Sequence, residues 1–265
     1  MVDALIEANG LTKMYGGFGA LNGLDLRIMP GEIYGLLGPN GAGKTTTLKL
    51  TAGLIEPTSG SVAVSGFDAT RDPLRAKTQI GYVAETPVLY ESLTPRELLE
   101  FEASVRRLVK DSVDRRARQL AEAFEVASVF DSPIATLSMG TKQKVAIIAA
   151  LLHQPPVLLL DEPLNSLDAR SNRILKELLS LHVQRGGAVL FSTHIMEIAQ
   201  TLCSRIGIIF QGRIVAEGDL EQLRARAGGK DATLEEVFMK LTNEASEVEG
   251  TVRALRESFF DDEDR

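Results

Sequence analysis

Short apolar segments separated by turn residues dominate the first 70 positions of the chain. Alternating apolar positions predict strands over 5–9, 21–28 and 60–66. Glycine-containing pairs predict turns in this region at three places: Asn9-Gly10, Gly16-Gly17 and Asn22-Gly23. These strands favour a small antiparallel sheet that packs beside a larger core.

Apolar runs and helical periodicity alternate through the rest of the chain, which is typical of an α/β fold with a parallel sheet. Further strands are predicted over 33–37, 80–84, 157–160, 188–192, 206–210 and 214–216. The run 157–160 is apolar at every position, as in a strand buried on both faces. Helices are predicted over 46–54, 141–153, 168–183, 220–226 and 234–241, with another short helix opening at Thr193 and His194.

A helical segment interrupts this alternation. Thr94, Pro95 and Glu97 form a helix start in which Thr94 caps the helix and Glu97 completes a capping box. Apolar residues recur at helical spacing over 97–109 and 114–126, with charged residues on the opposite face. We therefore expect an α-helical lobe, spanning about 86–153, inserted into the α/β core.

Composition limits the classes of function. The chain has 265 residues and a net charge of −7, which argues against sequence-independent binding to nucleic acid. Cys203 is the single cysteine, so no internal disulfide can form and a reducing compartment fits. No apolar run approaches the roughly 20 residues that span a bilayer, and no signal-peptide pattern opens the chain. Any membrane span would belong to another chain.

Residues 35–46 carry the strongest chemical signal. Gly38, Gly43, Lys44 and Thr45 satisfy G-x-x-x-x-G-K-[ST] between a predicted strand and a predicted helix. Glycines let backbone N–H groups turn toward an anion, and the helix N-terminus adds its own unpaired N–H groups. We expect Lys44 to reach the β- and γ-phosphates of a nucleotide and the Thr45 hydroxyl to bind Mg²⁺. A plain glycine-rich turn is the alternative.

Two acids follow the apolar run 157–160, where ligands bind in open α/β sheets. Asp161 is placed to hold Mg²⁺, and Glu162 to orient or deprotonate a water.

On local sequence alone, a structural role is favoured for His194 and a packing role for Tyr15. Ser138 and Asp168 are expected to cap helices. The cations Lys142 and Lys144 oppose a helix dipole, so they either attract an anion or extend into solvent.

Taken in order, these motifs resemble an ATP-binding cassette nucleotide-binding domain. They are Gly-Pro-Asn-Gly-Ala-Gly-Lys-Thr-Thr, Leu-Ser-Met-Gly-Thr, Leu-Leu-Leu-Asp-Glu-Pro, Ser-Leu-Asp and Ser-Thr-His. The resemblance covers about 4–220 and is strongest to stand-alone ATPase subunits of export-type transporters, including the segment 234–242. It implies a P-loop NTPase (RecA-like) core with an antiparallel β subdomain and the inserted helical lobe. The expected domains are 1–220 and a C-terminal helical extension, 221–265, whose acidic end at 261–264 is expected to be disordered.

The resemblance also implies roles for individual residues. Tyr15 would stack on adenine, which reverses the local interpretation. The nucleotide would lie on the phosphate loop, formed by Gly38, Pro39, Asn40, Gly41, Ala42, Gly43, Lys44, Thr45 and Thr46. The signature motif would contact ATP bound to a second subunit; its residues are Leu137, Ser138, Met139, Gly140 and Thr141. Met139 and Thr141 depart from the usual Gly and Gln.

Three further positions complete the set implied by the resemblance. Asp168 would communicate between the two sites of a dimer, and His194 would act catalytically at the γ-phosphate together with Lys44 and Glu162. Glu85 stands where the family usually has Gln, at a position that touches Mg²⁺ or water. The segment 86–93 lies where a membrane partner would dock.

The predicted function is that of an ATP-hydrolysing subunit, with ATP and Mg²⁺ as ligands, that drives a separately encoded transmembrane subunit. It would act as a dimer, with a homodimer favoured over a heterodimer, on the cytoplasmic face of the membrane and without nucleic acid. One alternative is a soluble cassette ATPase acting on ribosomes or DNA. The other is a degenerate subunit whose partner hydrolyses ATP.

Overall fold

The computed structural model describes residues 3–227, 232–242 and 251. The strands in this part of the chain are, in order, β1 (Ile6–Tyr15), β2 (Phe18–Ile28), β3 (Ile33–Leu37), β4 (Ser59–Val64), β5 (Phe67–Asp68), β6 (Ile80–Val83), β7 (Val157–Asp161), β8 (Ala188–Thr193), β9 (Arg205–Phe210) and β10 (Arg213–Gly218). The α-helices are α1 (Lys44–Thr51), α2 (Pro73–Thr78), α3 (Pro95–Val105), α4 (Lys110–Ala123), α5 (Met139–Leu152), α6 (Ala169–Gln184), α7 (Met196–Leu202), α8 (Leu220–Ala227) and α9 (Leu234–Thr242). The predicted alternation of strands and helices is confirmed, and with it the fold class.

The smaller sheet has the order β2-β1-β4-β5 and is antiparallel throughout. Its strands β1 and β2 are longer than predicted, because Asn9-Gly10 and Asn22-Gly23 are not turns. They are irregularities inside continuous strands, where the pairing of β1 with β2 shifts register between Ala8 and Leu11 and again between Leu11 and Lys13. A positive φ is tolerated in such bulges when glycine provides it, as Gly10 and Gly23 do here. Only the Gly16-Gly17 prediction was a true hairpin turn.

The larger sheet has the order β10-β9-β3-β8-β7-β6. Its strands run parallel except for β10, which pairs antiparallel with β9. Strands β3, β7 and β8 are buried at every position, as expected for parallel strands covered on both faces. The carboxyl ends of β3, β7 and β8 therefore meet at one edge of the sheet.

Helices α3, α4 and α5 form the predicted helical lobe. Thr94 accepts a hydrogen bond from the backbone of Glu97, and the Glu97 side chain bonds back to Thr94, so the capping box is confirmed. One apolar cluster joins the lobe to the sheet: Leu98 and Leu99 of α3, Val113 of α4, Ile147 and Ile148 of α5, and Leu158 and Leu160 of β7. This shared cluster attaches the lobe directly to the strand that ends in Asp161.

Two helix starts next to the predicted site residues differ from the predictions. Helix α1 begins at Lys44 rather than at Thr46, so the phosphate-loop lysine is its first residue. Thr193 and His194 do not open a helix, because Thr193 ends β8 and α7 begins at Met196. The Thr193 hydroxyl accepts a hydrogen bond from the backbone N–H of Ile195, which holds the link between strand and helix.

The last described elements, α8 and α9, pack their apolar residues against β9, β10 and α7 in one cluster. In the parts of the chain that the structure describes, every helix is too short or too polar to cross a lipid bilayer. The acidic tail, including 261–264, lies outside the described residues.

Candidate active site

The predicted phosphate loop links β3 to α1. A Cβ atom on Gly38 would lie 2.3 Å from the carbonyl oxygen of Ile209. A Cβ atom on Gly43 would lie 2.7 Å from the carbonyl oxygen of Ala20, and Gly43 also has a φ of 113°. Both positions therefore require glycine, because the loop is pressed against the neighbouring backbone.

Lys44 is 6% exposed and its ammonium group is held inside the loop. The Nζ atom donates to the carbonyl oxygens of Gly38 at 2.8 Å and Pro39 at 3.2 Å. It also lies 3.4 Å from Oε1 of Glu162. The first turn of α1 thus points a fixed cation toward the carboxyl end of β7.

Glu162 follows the last residue of β7 and is 5% exposed. Its φ of 45° lies in the left-handed region, which is strained for a non-glycine residue and is common at functional sites. The Glu162 N–H donates to Oγ of Ser192 at 3.1 Å, which holds this conformation. The Oε1 atom of Glu162 lies 2.9 Å from Nδ1 of His194, a side chain that is 45% exposed. His194 is therefore in direct contact with Glu162.

Asp161 is 1% exposed at the end of β7. The Ser192 hydroxyl donates to Oδ1 of Asp161 at 2.5 Å, across the β7–β8 pairing in which Asp161 and Ser192 are opposite each other. Within the described residues, Oδ2 of Asp161 is buried without a hydrogen-bond partner. Sequence reasoning missed Ser192 as a site residue, although its place before Thr193 and His194 at a strand end was a usable signal.

These residues fit a Mg²⁺ ion bound together with a nucleotide. No group of three or more His, Cys, Asp or Glu side chains among the described residues could hold a metal alone. Mg²⁺ is usually bound through one or two carboxylates together with phosphate oxygens and waters. Asp161 offers one free buried oxygen, and Thr45 lines the same cavity as Asp161.

A cavity of about 390 Å³ opens above the phosphate loop. The loop contributes Pro39, Asn40, Gly41, Gly43, Lys44, Thr45 and Thr46, and the remaining lining residues are Tyr15, Phe18, Ala20, Glu85 and Glu162. Tyr15 is 49% exposed, so it is not the core packing residue that its local sequence favoured. The Lys13 ammonium lies 5.2 Å from the centre of the Tyr15 ring.

Glu85 follows β6 in an exposed position and lines two cavities. One is the cavity above the phosphate loop. The other, of about 770 Å³, also contains Thr45 and Asp161. Among the described residues, Glu85 forms no ion pair with a lysine or arginine, so its carboxylate is exposed without a local cation.

The signature residues 137–141 lie at the start of α5. The Ser138 hydroxyl accepts from the Thr141 N–H at 3.2 Å, which confirms Ser138 as the helix cap. Met139 is 52% exposed, and a Cβ atom on Gly140 would lie 2.7 Å from the carbonyl oxygen of Ser166. None of residues 137–141 lines the cavity above the phosphate loop of the same chain.

The cations in the first turn of α5 pair with carboxylates rather than extending into solvent. Lys142 pairs with Glu91, and Lys144 pairs with Asp168, each at 2.6 Å. Asp168 also caps α6 by accepting from the backbone of Ser171 at 2.8 Å, as predicted. The Lys144 ammonium, followed by the Ser171 N–H, holds the pKa of the Asp168 carboxyl well below its usual range. The two pairs neutralise the charges that oppose the α5 dipole.

Comparisons with known proteins agree with this geometry. The family described as ABC transporter matches residues 21–165, more than half of the chain. The chain is 35% identical over 245 residues to the probable multidrug ABC transporter ATP-binding protein YbhF of Escherichia coli (strain K12), covering 91% of this chain but 42% of YbhF. The chain therefore spans less than half of that relative's length.

Solved structures show the same fold. The ATP-binding subunit of an ABC transporter superposes with a TM-score of 0.86 at 35% identity, covering 90% of this chain and 99% of that subunit. The dimeric ATP-binding cassette MJ0796, bound to ADP and Pi, gives a TM-score of 0.74 at 28% identity, with 81% and 98% of the two chains covered. The P-loop core, the antiparallel sheet and the helical lobe are thus those of an ATP-binding cassette, and the chain belongs to the ABC transporter family.

Proposed function

We propose that this chain binds and hydrolyses ATP and drives a separate transmembrane protein through that cycle. The observation that carries the proposal is the meeting of Lys44, Glu162 and His194 around one carboxylate oxygen, beside Asp161. A cation, a buried acid and an imidazole converge at the mouth of a phosphate loop. This combination fits phosphoryl transfer to water.

Nucleotide binding would use the cavity of about 390 Å³ above the phosphate loop. The exposed Tyr15 ring at its rim would stack on adenine. The backbone N–H groups of 38–46 would receive the phosphates at the N-terminus of α1, with Lys44 on the β- and γ-phosphates. The internal bonds of Lys44 to two carbonyl oxygens keep its ammonium in place for this contact.

Mg²⁺ would be held by the Thr45 hydroxyl and, through a bound water, by the free oxygen of Asp161, with Glu85 as a third side chain. When bound, the ion supplies neutralisation of the negative charge that develops on the phosphate oxygens. Ser192 orients Asp161 by bonding its other oxygen, which leaves Oδ2 available. Ser192 therefore acts as a positioning residue in this proposal.

For hydrolysis, Glu162 would accept a proton from the attacking water while His194 contacts the γ-phosphate. His194 already touches Oε1 of Glu162, so the two side chains lie close enough to contact the same attacking water. Burial of Glu162 excludes bulk solvent from the carboxylate. The strained backbone at Glu162 fixes the direction of the side chain.

The complete site would form between two cassettes. Residues 137–141 do not reach the phosphate loop of their own chain, which fits contact with ATP on a second chain. The solved MJ0796 cassette with ADP and Pi is dimeric. Ser138 and Gly140 present the α5 N-terminus for a phosphate, and Asp168 would link the two sites. A homodimer is favoured, because this chain carries both halves of the site.

The partner would be a transmembrane subunit that docks at 86–93, placing the chain on the cytoplasmic face of the membrane. Apolar side chains are exposed around this segment: Val88, Tyr90, Phe101 and Val105. Exposed apolar surface of this kind fits a protein interface. The net charge of −7 argues against sequence-independent binding to nucleic acid. We propose the division into 1–220 and 221–265 as the corresponding domain organisation.

The test is phosphate release by the purified chain with ATP and Mg²⁺, with Glu162→Gln as the matched inactive control. Turnover that Glu162→Gln abolishes supports the proposal. Binding of ATP without turnover would favour a degenerate subunit whose partner hydrolyses ATP. Co-purification with ribosomes or DNA rather than with a membrane protein would favour the soluble alternative.

A further inference from the structure

Tyr82 lies on the same face of the sheet as Asp161. Strands β6 and β7 pair in parallel, with Tyr82 opposite Leu159. Side chains two residues apart along a strand share a face, so Leu159 and Asp161 point to the side that Tyr82 occupies. Tyr82 and Leu159 belong to the apolar cluster that includes Leu48 of α1, whereas Val83, Leu158 and Leu160 belong to the cluster on the opposite side. Tyr82 therefore faces the helix that starts at the phosphate loop.

Two polar atoms on this face are buried without a hydrogen-bond partner in the described chain. They are the hydroxyl oxygen of Tyr82 and Oδ2 of Asp161. Both residues line the cavity of about 770 Å³ that also contains Thr45 and Glu85. Unpaired buried polar atoms are uncommon, and two from residues that line one cavity suit a shared polar ligand.

The Tyr82 hydroxyl keeps its proton at physiological pH. Burial raises the pKa of Tyr82 to about 12, and the negative charge of Asp161 acts in the same direction. A neutral phenol has an oxygen that accepts hydrogen bonds. Tyr82 can therefore accept a hydrogen bond beside Asp161 without adding a second negative charge.

Resting on the proposed function, we propose that Tyr82 is a positioning residue of the Mg²⁺ site. A water on the metal has two protons to donate, and here one goes to Oδ2 of Asp161 and the other to the Tyr82 hydroxyl. Mg²⁺ dehydrates reluctantly and keeps several waters in protein sites, so such a water is available. Partners of this kind orient the ligands of a metal and strengthen its binding.

Tyr34 provides a matched control. Its hydroxyl is likewise buried, here next to Glu217, and the Arg205 guanidinium lies 5.0 Å from the centre of its ring. Tyr34 lies on β3 and lines neither of the two cavities beside the phosphate loop. Tyr34→Phe and Tyr82→Phe therefore both remove one buried hydroxyl, but only Tyr82→Phe removes it from the proposed metal site.

The experiment measures ADP binding by calorimetry over a series of Mg²⁺ concentrations, because ADP binds without turnover. Adding Mg²⁺ should raise the affinity for ADP, and the Mg²⁺ concentration that gives half of this rise is the midpoint. In Tyr82→Phe we expect the midpoint to be about 10-fold higher than in wild type. ADP affinity without Mg²⁺ and the melting temperature of the free protein should stay near wild type. Tyr34→Phe should match wild type in all three measurements.

Normal ADP binding with the same Mg²⁺ midpoint in Tyr82→Phe and wild type would overturn this inference alone. An equal shift in both variants would also overturn it, since any lost buried hydroxyl would then have the same effect. Failure of the wild-type chain to bind ADP at any Mg²⁺ concentration would instead overturn the proposed function, and this inference with it.

Discussion

The ammonium of Lys44 lies 3.4 Å from Oε1 of Glu162, and both side chains are almost fully buried. Each residue thus partly compensates the charge of the other. The sequence predicted that Lys44 binds the phosphates and that Glu162 acts on the attacking water, but it did not predict a contact between the two residues. The structure joins the phosphate loop to the end of β7 through this pair.

Lys44→Ala is expected to weaken ATP binding, because it removes a cation from the phosphates inside a formed loop. It also leaves Glu162 without its lysine, so stability should fall as well. ATP affinity by calorimetry and the melting temperature of the free protein measure the two effects separately. Lys49→Ala on the same helix is the control, and unchanged ATP affinity in Lys44→Ala would argue against the phosphate-loop assignment.

Glu162→Gln should keep ATP binding but slow hydrolysis by about 10²-fold or more, if Glu162 accepts the proton of the attacking water. Because the closed state would then persist, ATP should trap a dimer that size-exclusion chromatography detects. Near-normal turnover in this variant would refute the role of Glu162. A chain that stays monomeric at high protein and ATP concentration would point to a different cassette as its partner.

Glu85→Gln should make ATP binding less dependent on Mg²⁺. Without the metal, the Glu85 carboxylate adds negative charge near the triphosphate, whereas bound Mg²⁺ favours carboxylate oxygen and offsets that repulsion. Titration of ATP at several Mg²⁺ concentrations compares the two forms. Glu91→Gln, which removes an acid of the same loop that pairs with Lys142, is the control. Equal Mg²⁺ dependence in Glu85→Gln and wild type would leave Glu85 outside the metal site.

His153 should make the folded state less stable in mild acid. Burial, reinforced by Arg106 and Arg116, lowers the pKa of His153 from 6.5 to about 4. In the unfolded chain His153 takes up a proton below about pH 6.5, whereas in the folded chain it does so only near pH 4. The stability that is present above pH 6.5 is therefore lost as the pH falls from 6.5 to 4. The loss from this residue is at most about 3 kcal/mol.

The measurement for His153 is the free energy of unfolding against pH in wild type and His153→Gln. The glutamine amide can still donate to the carbonyl oxygen of Ile80, which Nε2 of His153 contacts at 3.0 Å. The variant should lose less stability between pH 6.5 and 4, while the two curves run parallel above pH 7.5. Curves that stay parallel through the acidic range would contradict the assignment.

The sequence by itself determined the elements whose cause is local. A fully apolar run predicted β7, and side-chain caps at Thr94, Ser138 and Asp168 predicted helix starts, because a cap needs only the backbone N–H groups of the next turn. The phosphate loop was equally visible, since its glycines and lysine are consecutive. Asp161 and Glu162 were found because residues at the end of a buried strand share an edge with their neighbours.

Only the tertiary structure decided what depends on strand pairing and on contacts between distant segments. Asn9-Gly10 and Asn22-Gly23 have turn sequences, yet pairing of β1 with β2 and β4 keeps them inside strands as bulges. Lys142 pairs with Glu91, 51 residues away in the chain, and Lys144 pairs with Asp168, 24 residues away. A local sequence pattern cannot predict contacts at such separations. The placement of Ser192 and Tyr82 beside Asp161 follows from the register of β8 and β6 against β7, and register is set by the packing of both sheet faces.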